Sequence, residues 1–107
     1  MATIYERLNS GFDRTMATAA GSIDAYYDAK AHHADEDSLT RLEHNRDAAV
    51  GALDAWSVAR DLESDGNLSY GTLIRTLSEY QKTYSAAQYE AYLDNVNAIL
   101  SLVRSHR

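Results

Sequence analysis

The chain has 107 residues, neither cysteine nor proline, and a formal net charge of −6 from 16 Asp and Glu against 10 Lys and Arg. Its 45% hydrophobic content suits a single folded domain over residues 1–107, and the missing thiols exclude disulfides, thiolate catalysis and cysteine-based zinc sites. Direct nucleic-acid binding is disfavoured too, because backbone phosphates are held by clustered cations and here the cations are outnumbered and scattered.

Proline is the residue that most strongly ends a helix, so its absence leaves glycine and capping side chains as the only breakers. Apolar side chains recur every three or four positions from Ile4 to Val103, and no period-two pattern or β-rich run bounded by turns is present. The pattern predicts an all-α antiparallel bundle of three long helical arms over residues 3–33, 37–64 and 69–105. The third is expected to be kinked or split near Ser85, giving a three- or four-helix bundle. At ~1.5 Å per residue such arms would run roughly 40 to 55 Å and lie side by side.

The first arm places Ile4, Leu8, Phe12, Met16, Ala19, Ile23 and Tyr27 on one stripe behind a Thr3 N-cap. Most of these steps are four, so the stripe drifts around the helix instead of holding a coiled-coil seam. Gly11 and Gly21 interrupt the arm, with close approach of a neighbouring helix or a local bend at Gly21-Ser22 as the alternatives. Lys30, His32 and His33 precede Asp35, Glu36 and Asp37, so cations end one helix and anions start the next, as the two macrodipoles favour. A turn is expected between Ala34 and Asp37.

In the second arm Leu39, Leu42, Arg46, Ala49, Leu53, Trp56 and Arg60 alternate three and four, a heptad with Leu53 and Trp56 in its buried seam. Arg46 and Arg60 fall at the seam edge, where each would snorkel or pair with an acid from another helix. Asp65-Gly66-Asn67 is a turn and Ser69 a cap. Leu73, Leu77, Tyr80 and Tyr84 then form one stripe and Tyr89, Leu93, Val96, Leu100 and Val103 another. The five-residue step between them turns the apolar face by roughly 140°. Ser85-Ala-Ala-Gln88 at that junction matches a capping box.

Chemical motifs are absent. Asp24, Asp28 and His32 share one helical face and give a metal-binding alternative, with His33 and His44 nearby, but no Glu-x-x-His pair supports a di-iron site. No Gly-x-Ser-x-Gly elbow or phosphate-cradling glycine spacing occurs. The expectation is therefore a non-enzymatic protein without a cofactor. Neither a signal nor a transit peptide is expected at the N-terminus, where Glu6 and Arg7 interrupt any apolar run. No stretch approaches the roughly 18 apolar residues of a membrane span, and the expected location is the cytoplasm, or a virion or host cell for a phage-encoded chain.

Aromatic content is the remaining signal: eight Tyr against one Phe and one Trp. Tyr27, Tyr80, Tyr84 and Tyr89 are expected in the core. Tyr5, Tyr26, Tyr70 and Tyr92, with Asp35, Glu36 and Asp37, are the expected partner-binding residues, because tyrosine is enriched at interfaces. The partner would be another protein or a second copy, making the chain a helical assembly or adaptor subunit, of the kind phages encode, or a small acidic inhibitor. A third reading is mimicry of nucleic acid by acidic patches at Asp35–Asp37 and Asp61–Asp65.

Overall fold

The computed structural model describes residues 2–106. Four helices and no strand occur among them: α1 (Ile4–Ala31), α2 (Glu36–Ser64), α3 (Tyr70–Tyr80) and α4 (Ala86–His106). Each begins where a side chain caps the free amides. Thr3 accepts from the Glu6 N–H, Asp35 from Ser38 and Ser69 from Thr72. At α4, Ser85 and Gln88 cap each other reciprocally, the Ser85 N–H donating to Gln88 Oε1 over 2.8 Å.

The first two helices end in the same device. At the end of α2, Gly66 takes φ 74° while the Asn67 and Gly66 amides donate to the Leu62 and Glu63 carbonyls. At the end of α1, His33 takes φ 57° while the Ala34 and His33 amides donate to Ala29 and Lys30. Both are Schellman turns, one with glycine in the left-handed position and one without.

The third arm is two helices, and the chain reverses between them. Tyr92 Oη donates to the Leu73 carbonyl over 2.9 Å although the two residues are 19 apart, which a continuous helix would hold about 28 Å from each other. The third arm is thus split as one alternative had it, and the all-α bundle consists of a long α1–α2 hairpin carrying a shorter α3–α4 hairpin on one flank. α1 runs antiparallel to α2, so that Phe12 lies under Arg60 and Tyr26 under Arg46. α4 runs along α2 in the same direction, from the Gln88 backbone at Gly51 to Asn95 at Trp56. The molecule is a slab of 49 × 31 × 19 Å.

Its core gathers where all four helices meet: Leu8 from α1, Ala55, Trp56 and Ala59 from α2, Leu73 and Leu77 from α3, and Tyr92, Val96 and Ile99 from α4. Trp56 is buried as the heptad predicts, whereas Leu53 is only half-buried. Two glycines permit this closeness. A Cβ at Gly11 would fall on the Trp56 ring, and one at Gly51 on the Gln88 backbone carbonyl. Gly21 has no such neighbour. Toward the tip of the α1–α2 hairpin, no residue between Ala20 and Ala48 is buried.

Candidate interaction surface

The tyrosines divide differently from the expectation. Tyr5 and Tyr70 are exposed as expected, at 45% and 57%. Tyr92 is fully buried and so is removed from the binding set: its ring belongs to the core and its hydroxyl serves the α3 backbone. Tyr26 is half-covered, its ring lying 4.4 Å below the Arg46 guanidinium and 5.8 Å from the Lys30 ammonium, with Tyr27 packed edge-on at 5.1 Å. Tyr27 and Tyr80, expected inside, are exposed at 56% and 37%, while Tyr84 and Tyr89 are half-buried.

Asp35, Glu36 and Asp37 lie together and exposed at the start of α2. Asp35 is the N-cap of α2, and its hydrogen bond from Ser38 holds its carboxyl below the usual range. Glu36 and Asp37 are exposed in the first turn of that helix, where they complement its dipole. The Asp61–Asp65 patch lies at the other end of α2, about 40 Å away, so the two acidic clusters do not combine into one surface.

Asp24, Asp28 and His32 are all exposed. The His32 ring turns back on its own helix end, with Nδ1 at 2.8 Å from the Asp28 carbonyl and 3.5 Å from its carboxylate. Among the described residues no three His, Asp or Glu side chains converge as a metal site would need. His33 sits in the turn and His44 borders a shallow depression of about 290 Å³ shared with Glu43, Asp47 and the start of α4.

Arg46 and Arg60 do not take acids from another helix. Arg46 pairs with Asp47 at 3.2 Å and Arg60 with Asp61 at 3.6 Å, both on α2 itself. Each guanidinium instead reaches α1 over a ring, Tyr26 at 4.4 Å and Phe12 at 4.1 Å, and Arg60 also donates to Asn9 Oδ1 over 3.3 Å. Both pairs of positions are 14 residues apart, so one contact recurs two heptads along the hairpin.

This arrangement exposes a surface that spacing alone did not single out. Tyr5, Met16 and Tyr27 are exposed at 45%, 45% and 56%, and they repeat every 11 residues. At about 100° per residue such a repeat returns nearly to the same line, so these three, with half-buried Phe12 and Ile23 between them, occupy an arc of about 60° on α1. Gly11 and Arg14, which meet Trp56 on the α4 side, lie about 140° and 160° around the helix from Met16. The stripe is therefore on the flank of the hairpin away from α4, where α2 covers Phe12 and leaves Tyr5, Met16 and Tyr27 exposed. No helix among the described residues is long and apolar enough to cross a membrane. Compared with protein families, curated proteins and solved structures, the chain matches none of them.

Proposed function

We propose that this protein is a non-enzymatic helical interaction module that binds another protein chain through the uncovered flank of its α1–α2 hairpin. The observation that carries the reading is the row Tyr5, Met16 and Tyr27, three of the five large apolar side chains exposed among the described residues, aligned along one helix. Exposed apolar residues are ordinary when scattered, but an aligned set is the pattern of a docking surface. It runs over about 33 Å, from residue 5 to residue 27. The other two, Tyr70 and Tyr80, sit at the two ends of α3 and form no such row.

The reading is tested by placing a photo-crosslinking amino acid at position 20, which is exposed beside the stripe, or at position 78 on α3 as a control. Irradiation in the cells that make the protein should give a discrete protein adduct from position 20 and none from position 78. No adduct at position 20, or an equal pattern at both, would overturn it.

A further inference from the structure

The open flank carries charge as well as apolar surface, and the sign is the same along both edges. On α1, Glu6, Asp13 and Asp24 are exposed and lie about 60–80° around the helix from the stripe, on its solvent side. On α2, Glu43 and Asp61 stand at the other edge with side chains 53% and 70% exposed, each beside an arginine of the same helix, Arg46 at 3.9 Å and Arg60 at 3.6 Å. Of the cations of this flank, Arg46 and Arg60 are largely covered, while Lys30 is exposed beside Tyr26. Lys30, Arg46 and Arg60 each lie over an aromatic ring of α1, and both arginines are paired with α2 acids. An apolar strip about 33 Å long with an acidic rim on α1, facing arginines already paired with α2 acids, is the electrostatic complement of a helix whose apolar face is bordered by Lys or Arg.

We infer that the occupant of this flank is a basic amphipathic helix of about six turns. The inference rests on the reading above and names the chemistry of its partner. A second copy fits less well, because a chain of net charge −6 would bring acidic rim against acidic rim. Basic flanks also favour fast, salt-sensitive association, while the apolar row sets the residence time.

The test uses three synthetic 22-residue helical peptides that share one leucine face and differ only in their flanks, which are Lys, Gln or Glu. Fluorescence anisotropy with the full chain should give tightest binding for the Lys peptide, at least tenfold weaker binding for Gln and none for Glu. Affinity for the Lys peptide should fall with added salt. A Met16→Asn, Tyr27→Asn variant, verified as folded by circular dichroism, should lose at least tenfold, and Tyr70→Ala should lose nothing.

Equal binding of the Lys and Gln peptides, abolished by the double variant, would overturn the charge class while leaving the docking flank intact. A dimer in sedimentation equilibrium that the same variant dissolves would replace the basic helix by a second copy, again leaving the flank. Failure of all three peptides to bind, or binding that ignores the double variant, would overturn the proposed partner, and an empty crosslink at position 20 would then remove the docking surface itself.

Discussion

Three glycines sit inside the two long helices, and their surroundings give them opposite roles. Gly21 meets nothing within 4 Å of a built Cβ, so Gly21→Ala should raise stability by about 0.5–1 kcal/mol through helix propensity alone. Gly51→Ala should lower it, because the new methyl would displace the α4 backbone at Gln88; thermal melts followed by circular dichroism separate the two. Among the tyrosines, burial first and the Asp54 carboxylate second raise the Tyr84 hydroxyl well above its ordinary value, and burial does the same for Tyr92. Tyr84 Oη donates to Asp54. A hydroxyl whose folded pKa is raised binds its proton more tightly in the folded state. Its contribution is complete below the unfolded value near pH 10 and is lost as pH rises above it. Stability should therefore begin to drop near pH 10 and keep falling toward the raised folded values, and a Tyr84→Phe, Tyr92→Phe variant should show a shallower drop in urea titrations above about pH 10. Which tyrosines are buried was not legible in the sequence. Tyr89 and Tyr92 are three apart and share a broad face, and only the direction from which α3 returns decides that Tyr92 is the one it covers.

At the scale of the element, helix ends were the most readable part of the chain. Thr3, Ser69 and the Ser85–Gln88 pair cap as their identities predict, since short polar side chains satisfy amides that no carbonyl of the helix can reach. The five-residue step after Tyr84 marked the break in the third arm, but a phase change cannot distinguish a kink from a reversal. That depends on a loop of residues 81–85 and on what α4 finds to pack against. His33 is the exception among the caps, a non-glycine residue at φ 57° in a turn that Gly66 makes without penalty elsewhere. Because the left-handed region costs most L residues about 1–2 kcal/mol, offset in part by the greater freedom of glycine when unfolded, His33→Gly should stabilise the hairpin by about 0.5–1 kcal/mol. A chemical denaturation series on the two proteins measures it. The drift of the α1 stripe was legible as well. Its steps of four carry Met16, Ile23 and Tyr27 away from the seam that Leu8 and Phe12 occupy, which is why a set read as core is partly a surface.

For the whole molecule, burial is uneven along the long axis. The shared core lies at one end, and between Ala20 and Ala48 nothing is buried, so the hairpin tip is held by half-covered contacts and the rings under Arg46 and Lys30. Amides of residues 24–44 should exchange faster in deuterium than those of residues 52–59 and 92–99, because local opening there exposes little apolar area; equal protection in a hydrogen-exchange time course would contradict this. The opposite end is governed by Trp56, the sole tryptophan. Its ring rests on Gly11, under the Arg14 guanidinium at 5.6 Å, while its Nε1–H donates to Asn95 Oδ1 over 2.8 Å. One indole is thus clamped by segments drawn from both halves of the chain, 45 residues before it and 39 after. During synthesis the indole must wait, half-solvated, until Asn95 has left the ribosome. A fragment ending before α4 would keep its emission red-shifted however helical it became, so the colour of this single fluorophore reports whether the joint has closed.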